Sequence, residues 1–420
     1  MRIINLLLIF CVVCLMVAGQ IYCDENSKKH LNVFWETKIP SGEINGTHPQ
    51  ACAFNKNNFS LIVIGISYQI DKDLESDAEG ELYMWELDTQ EGIVIKKTLI
   101  NKLPKISKGL MSTFKFINGD IYIDSNEDIF AITDFKRTKP TLTRIYKNKK
   151  EIFSMDSLTK GDATNFFAEQ ISKLKMISLL DDTFLLSLSS LSGKSVLAKL
   201  NKEGKKIWEK VYTDERQKIF IDDGIPITKQ GDFVGVKLIT REIESPESLS
   251  DIWLFCCDPN ANILTEDIFP GNSPHICRLV SGEIVVIYNA SANLKLDMNN
   301  TDYRLKIYNP ELKLLSENQI LKGRLIFPLK IKALADGNFI TVGTIAPKPE
   351  LGEKLKTVIE AYDKQGHKLD RLVLENVFGT DISLCENGKN RLFIVTKSYP
   401  LIEELLSNKF SIKVVAVELK

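Results

Sequence analysis

Short polar turns recur along the chain, and each is followed by an apolar strand pattern. The turns are centred near Asn57, Gly119, Asp182, Gly231, Gly282, Gly337 and Gly388, about 50 to 60 residues apart. The Asn-Gly, Ser-Gly and Asp-Gly pairs among them tolerate positive φ, which two-residue hairpin turns require. The stretches after the turns, such as "EIVVIYNA" and "NFITVGTI", are rich in Val and Ile, which favour strands. The pattern predicts seven hairpins at regular spacing.

A second hairpin follows each of the first six. In the third copy it reads "SVLAKLNKEGKKIWEKVY", with Gly204 in the turn and Trp208 in the next strand. The first copy has a similar layout at Gly92, whereas the fourth and fifth copies lack the turn glycine. Each copy is therefore a four-stranded unit, which cannot bury both of its faces alone. Packing the units in a ring buries them, which predicts an all-β fold: one seven-bladed β-propeller domain of four-stranded blades over residues 31–420.

The seventh copy ends the chain with "FSIKVVAVELK", its third strand. A candidate for the missing fourth strand lies near the N-terminus, where "LNVFWETKIPSG" places Trp35 as Trp208 is placed in "KKIWEKVYTDE". Pairing the first strand with the last three would satisfy an otherwise open sheet edge. The sequence therefore predicts that the N-terminal strand completes the last blade; the alternative is an independent edge strand.

The second copy carries the longest connection. With its turn near Gly119, the stretch "NKKEIFSMDSLTKGDATNFFAEQISKL" becomes an insertion between blades, and its composition predicts a short helix near residues 166–172. Residues 124–130, "DSNEDIF", begin like a calcium loop. Ile129 and Phe135 stand where such a loop needs Gly and Glu, so we interpret the stretch as a polar connection between strands.

The repeat resembles the bacterial exported propellers of the quinoprotein-like superfamily, whose pyrroloquinoline-quinone-type blades carry a turn Gly and a Trp at this spacing. In some quinone-dependent members a vicinal disulfide lies at the cofactor, which draws attention to Cys256 and Cys257. Here the pair falls at the end of a third strand, outside the central channel, and we interpret it as two structural side chains of alternating orientation. The carboxylate and metal set of such enzymes is missing, so we expect no cofactor.

The N-terminus has the layout of a secretory signal peptide, which we assign to residues 1–23 because an apolar run follows Arg2 and ends in small residues. We expect a chain exported to the periplasm, the cell surface or the medium, with no membrane span after cleavage. The alternative is that the run is retained as an anchor. The disulfide state of the remaining cysteines stays open; they are Cys52, Cys256, Cys257, Cys277 and Cys385.

Neither the net charge nor any sequence motif indicates a catalytic site, a metal site or a nucleic-acid-binding surface. The formal net charge is −1, without the basic face that nucleic-acid binding needs. The four histidines have no metal-ligand spacing, and no nucleophile elbow or phosphate loop is present. Of the histidines, only His275 lies where it could face a channel. We assign no catalytic, cofactor-binding or metal residues from sequence, and the binding residues remain unknown.

The longest connections share one face of a propeller, because they join strands two and three or successive blades. They include residues 71–79, 241–250, 291–302 and 348–354. Long loops on one face of a repeat array are typical of a binding surface, although neutral drift in tolerant loops would look the same. We therefore expect a monomeric, non-catalytic scaffold for a protein or glycan partner. The alternatives are a quinone-dependent or hydrolase-like propeller enzyme with dispersed residues, and an element of a surface assembly.

Overall fold

The computed structural model describes residues 29–39, 46–69, 79–102, 119–124, 126, 128–134, 140–146, 149–154, 171–190, 195–212, 217–241, 250–290, 301–323, 325–345, 356–375, 382–398 and 411–420. The signal peptide predicted for residues 1–23 lies outside this range. Within it, no helical segment has the length and apolarity to span a bilayer.

The described strands form seven four-stranded antiparallel sheets, which we number as blades along the chain. Blade 1 contains β2 (Gly46–Asn55), β3 (Ser60–Gln69), β4 (Glu79–Asp88) and β5 (Val94–Lys102); blade 2 contains β6 (Gly119–Ile123), β7 (Ile129–Asp134), β8 (Pro140–Tyr146) and β9 (Lys149–Ser154). Blade 3 contains β10 (Ile171–Ser178), β11 (Phe184–Ser190), β12 (Ser195–Leu200) and β13 (Lys206–Tyr212); blade 4 contains β14 (Gln217–Pro226), β15 (Phe233–Arg241), β16 (Ser250–Cys257) and β17 (Ile263–Pro270). Blade 5 contains β18 (Asn272–Arg278), β19 (Ile284–Asn289), β20 (Thr301–Tyr308) and β21 (Leu314–Gly323); blade 6 contains β22 (Leu325–Ala333), β23 (Phe339–Ile345), β24 (Lys356–Tyr362) and β25 (Lys368–Glu375). Blade 7 contains β26 (Ser383–Glu386), β27 (Arg391–Ser398), β28 (Ser411–Leu419) and β1 (Leu31–Ile39).

The first strand of each blade packs against the first strands of its two neighbours. These inner strands contact one another in the order β2, β6, β10, β14, β18, β22 and β26, and β26 returns to β2. The chain is a seven-bladed β-propeller. The inner strands therefore surround a central channel.

Strand β1 closes the ring, as the sequence predicted. It pairs antiparallel with β28, from Leu31 opposite Leu419 to Ile39 opposite Ile412. Beyond the strands, His30 and Lys420 exchange backbone hydrogen bonds of 2.7 and 3.0 Å. The edge of β28 is thus covered by the chain's own N-terminal segment.

The predicted equivalence of Trp35 and Trp208 extends to their hydrogen bonds. Trp208 Nε1 donates to the Pro259 carbonyl at 2.9 Å, in the turn between the third and fourth strands of blade 4. Trp35 Nε1 donates to the Thr89 carbonyl at 2.9 Å, in the corresponding turn of blade 1. Each indole therefore ties its own blade's outer strand to the next blade.

The turns between the third and fourth strands of blades 1, 3, 4, 5 and 6 share one local design. Their first residue is Asp or Asn, whose side-chain oxygen accepts a backbone N–H from later in the turn; these residues are Asp88, Asn201, Asp258, Asn309 and Asp363. Short polar side chains of this kind favour turns over strands. A later residue adopts positive φ, and this residue is Gly92, Gly204 or Gly366 in three blades. Ala261 and Leu312 take the same conformation, at φ 60° and 59°, in the two copies that lack glycine.

The cores lie between blades, so the second and third strands are buried on both faces. β12, "SVLAKL", and β19, "IVVIYN", are buried at every position. The outer strand β17 is exposed or partly buried at every position except Phe269. This difference explains the continuous apolar runs after the turns and the weaker, alternating pattern of the fourth strands.

The sequence-based assignment of the second copy was wrong by one strand. Gly119 begins β6, and the first turn of blade 2 is at residues 124–128, where Asp124 Oδ1 accepts the N–H groups of Asn126 and Asp128. This Asp-initiated turn needs no glycine, so it was mistaken for a connection. Part of the expected insertion is β9, the fourth strand. Residues 171 and 172 belong to β10 rather than to a helix, and residues 166–170 lie outside the described part of the chain.

Candidate functional site

One side chain from each inner strand stands at the same register position, opposite the matching position of the second strand. We call these residues the channel ring: Ala51, Asp120, Lys175, Asp223, His275, Lys330 and Ser383. Most of the ring is polar or charged, although the same strands contribute alternate residues to the apolar cores. A polar layer at the axis of an otherwise apolar ring is the candidate functional site.

Local strand irregularities help to orient the ring. The pairing register shifts immediately before Ala51, Asp223, His275 and Lys330. A β-bulge bends the strand that carries it and changes the direction of its side chains. Four of the inner strands thus bend at the point where they reach the ring.

Four consecutive members of the ring alternate between acidic and basic side chains. Lys175 Nζ lies 3.6 Å from Asp120 Oδ2 and 3.9 Å from Asp223 Oδ1. Asp223 Oδ2 lies 3.8 Å from His275 Nδ1. At these separations the side chains interact mainly through electrostatic attraction rather than through short hydrogen bonds.

The charges reinforce one another. Asp120 raises the pKa of Lys175 above its ordinary range, and Asp223 adds to this effect. Burial favours the neutral form of Asp223, but Lys175 and His275 outweigh it and hold the pKa of that carboxyl well below its usual value. Lys175 and Asp223 are therefore both charged at neutral pH. The Lys175 side chain is nevertheless 39% exposed within the channel, so it can be reached by solvent.

Backbone contacts fix the acidic and hydroxyl members of the ring. Asp120 accepts hydrogen bonds from the N–H groups of Ile121 at 3.0 Å and Met176 at 3.1 Å. Ser383 Oγ accepts one from Cys52 N at 2.9 Å. Met176 and Cys52 belong to the next blade in each case, so the ring also joins neighbouring blades.

A second group adjoins the ring on the same inner strands. We call it the thiol layer: Cys52, Cys277, Lys332 and Cys385. Lys332 is close enough to all three thiols to favour their ionised forms. Burial nevertheless raises the pKa of Cys277 to about 12 and that of Cys385 well above its ordinary value, whereas hydrogen bonds from Cys385 and Ser383 overcome burial and lower the pKa of Cys52. Cys52 is therefore the thiol of this layer that ionises most readily.

Of the residues considered from the sequence, the structure places His275 at the channel and Cys256 and Cys257 away from it. His275 lies in the inner strand β18, where it faces Asp223. Cys256 and Cys257 end the third strand β16 away from the channel, and they are buried in two different interblade clusters. Within the described ranges, no group of three or more His, Cys, Asp or Glu side chains could hold a metal ion. The long connections expected to form a binding face fall almost entirely outside the described residues.

Sequence reasoning did not find Asp120, Lys175, Asp223 or Lys330. Their separation along the chain is about one blade, and no local motif joins them. A signal was present, because each lies at the same distance before the end of its first strand, where the first turn begins. Placing the turn of the second copy near Gly119 removed Asp120 from that alignment.

Comparison with known proteins supports the fold and gives no family. No family model matches the chain, and no curated protein matches it. Among solved structures, the polysaccharide lyase Uly1 superposes with a TM-score of 0.58 at 10% identity, covering 92% of this chain and all of that one. The WD40 domain of SCAP from fission yeast gives a TM-score of 0.45 at 10% identity, covering 93% of this chain and 95% of that one. Similarity at this level of identity concerns the fold alone.

Proposed function

We propose that the protein is an exported, monomeric binding scaffold whose channel receives an acidic group of a protein or glycan partner. The charge of the channel supports this proposal. Of the described side chains in the ring and the thiol layer, Lys175, Lys330 and Lys332 are cationic, whereas only Asp120 and Asp223 are anionic. The excess positive charge favours a carboxylate, and a channel with low-dielectric walls strengthens this preference.

The placement of the lysines supports the same ligand class. Lys175 is held by carboxylates on both sides, so it is fixed in direction but remains exposed in the channel. Lys332 lies near the thiols of Cys52 and Cys277, and within the described residues it forms no ion pair with a carboxylate. A ligand carboxylate could thus pair with Lys332 without displacing an ion pair of the protein. We expect the long connections predicted from the sequence to supply the remaining contacts and to determine the partner.

Calorimetric titration tests this proposal. The purified chain is titrated with an oligosaccharide of uronic acids and with the neutral oligosaccharide of the same length and linkage, at low and at physiological salt. The acidic ligand should bind and the neutral ligand should not, and Lys332→Met should weaken binding by about 10- to 100-fold, the range for loss of one charge-assisted contact. Lys205→Met, at an exposed turn position, is the matched control. Equal binding of the two oligosaccharides, or no effect of Lys332→Met, would refute the carboxylate preference.

A second candidate function is polysaccharide cleavage, because two observations favour it. His275 Nδ1 lies 3.8 Å from Asp223 Oδ2, and a carboxylate beside an imidazole suits a general base. In addition, one solved propeller of similar fold is named as a polysaccharide lyase. Removal of a proton next to a sugar carboxylate, followed by loss of the glycosidic oxygen, leaves a carbon–carbon double bond. Ultraviolet absorbance during incubation with uronate polymers would report this product. Its formation by the wild type and its loss in His275→Ala would replace the scaffold proposal with an enzyme.

A further inference from the structure

Two cysteines meet where the last blade contacts the first. Cys52 lies on β2 and Cys385 on β26, and these inner strands pack against each other across the closure of the ring. Both side chains belong to one buried cluster, together with Phe393 and Val63. Cys52 is 8% exposed and Cys385 is 6% exposed. In the structure both are reduced thiols.

The backbone register directs the two thiols toward each other. Cys52 N donates a hydrogen bond to Ser383 Oγ at 2.9 Å, so the Ser383 side chain points across the interface toward β2. Residues two apart on a strand point to the same side, which places the Cys385 side chain on the side that faces Cys52. The two side chains lie close enough for each to shift the pKa of the other.

We propose that Cys52 and Cys385 form a disulfide that joins the first and last blades when the protein is in an oxidising environment. The oxidant is a small disulfide such as oxidised glutathione. The Cys52 thiolate attacks one of its sulfur atoms, and one glutathione leaves as a thiol after taking up a proton. Cys385 then loses its proton and attacks the Cys52 sulfur, which releases the second glutathione. Two protein thiols are oxidised to one disulfide, and one glutathione disulfide is reduced to two thiols.

The surroundings favour this order of attack. The thiolate is the nucleophile in disulfide exchange, and Cys52 is the thiol whose pKa is lowered by its hydrogen bonds and by Lys332. Cys385, whose pKa is raised by burial and by Cys52 itself, is the second thiol to react. Once Cys52 has reacted it no longer carries a negative charge, so it no longer raises the pKa of Cys385.

The other described cysteines do not offer an equivalent pair. Cys277 packs between blades 5 and 6, in a different cluster. Cys256 and Cys257 are neighbours on one strand, but Cys256 packs toward blade 5 and Cys257 toward blade 3. The proposed disulfide would therefore leave three free thiols among the five described cysteines. It does not depend on the acidic ligand proposed above.

Peptide mapping of the full chain tests the pairing. The protein is equilibrated in glutathione buffers of increasing oxidation, quenched with acid, alkylated in denaturant and digested. Mass spectrometry should detect a peptide linking Cys52 to Cys385, with Cys256, Cys257 and Cys277 alkylated. Complete alkylation of Cys52 and Cys385 in the most oxidising buffer, or a link from either one to Cys277, would overturn the proposal.

Thermal unfolding gives a second measurement that does not require identifying a peptide. Oxidation should raise the Tm of the wild type by several degrees, and dithiothreitol should reverse the change. Cys385→Ser should abolish this redox-dependent shift. Cys277→Ser, at the same register position of another inner strand, should retain it. A shift that persists in Cys385→Ser, or that disappears equally in both variants, would contradict the assignment.

Discussion

Lys237 is a fully buried lysine without a hydrogen-bond partner, and replacing it should stabilise the protein. It lies on β15 between blades 3 and 4, and its side chain is 0% exposed. Nζ has no hydrogen-bonded partner within the described structure. The ammonium instead contacts aromatic rings, with Nζ at 3.1 Å from the ring centre of Tyr212, 4.4 Å from that of Trp253 and 4.5 Å from that of Phe255.

The magnitude follows from the transfer of a charged group out of water. Burial lowers the pKa of Lys237 from 10.5 to about 7, which corresponds to a destabilisation of about 5 kcal/mol at pH 7. Each aromatic ring recovers about 0.5 to 1 kcal/mol through attraction of the cation to its face. The net cost is therefore about 2 to 4 kcal/mol. Lys237→Met keeps the length of the chain and favourable contacts with the rings but removes this cost.

The sign of the pH dependence is fixed by the direction of the pKa change. Between about pH 7 and 10.5 the unfolded chain holds a proton on Lys237 that the folded protein has released. Stability of the wild type should therefore rise with pH over this range. The advantage of Lys237→Met should be largest at pH 7 and below, and should shrink by at most about 1.4 kcal/mol per pH unit as the pH is raised.

Urea unfolding at pH 7 and pH 9.5, followed by fluorescence and circular dichroism, measures this difference. Lys199→Met is the matched control, because Lys199 is also buried opposite a tryptophan but donates to Asp181 Oδ2 at 2.8 Å. That variant should be destabilised by a similar amount at both pH values, because it leaves a carboxylate without its partner. A Lys237→Met protein that is less stable than the wild type, or equally favoured at both pH values, would refute the reasoning.

Two further changes have defined outcomes. Gly92→Ala should destabilise the protein by about 2 to 4 kcal/mol in urea unfolding, because Gly92 has φ 72° and an added Cβ would lie 2.6 Å from the Trp35 ring. Gly388→Ala is the control, because Gly388 has φ 74° with nothing within 4 Å of an added Cβ, and this variant should lose only about 1 kcal/mol. Equal losses in the two variants would argue against the Trp35 contact. Asp223→Asn should lower the free energy of unfolding at neutral pH and should flatten the loss of stability below about pH 4. The reason is that the lowered pKa of Asp223 contributes stability that is present above the pKa of the unfolded chain and lost in acid. Acid titrations of equal slope for the variant and the wild type would exclude that contribution.

The strand repeat and the closure of the ring could be predicted from the sequence because their causes are local. Asp, Asn and Gly determine the turns, and Trp35 and Trp208 make the same indole hydrogen bond in their two blades. A comparison of two short stretches was therefore enough to assign a segment near the N-terminus to the last blade. Blade 2 was misassigned because its first turn is stabilised by Asp124 instead of by glycine.

The candidate site could not be predicted in the same way, because its geometry depends on the whole ring. Lys175 and Asp223 belong to different blades, and their interaction exists only when β10 and β14 are adjacent. The bulge before Asp223 also has no clear sequence signal. Composition indicated which residues are charged, but only the folded ring determines which charges meet.

The pairing of β1 with β28 also has a consequence for biosynthesis. A ribosome makes the stretch containing Leu31 before any of the seven blades, yet its hydrogen-bonding partner around Leu419 emerges only after the first six blades have been made. Until then the early segment has no place to dock, and the nascent protein carries an incomplete final module. The last module can therefore close only after the other six have been made, which gives chaperones a period in which the nascent polypeptide can still be held open.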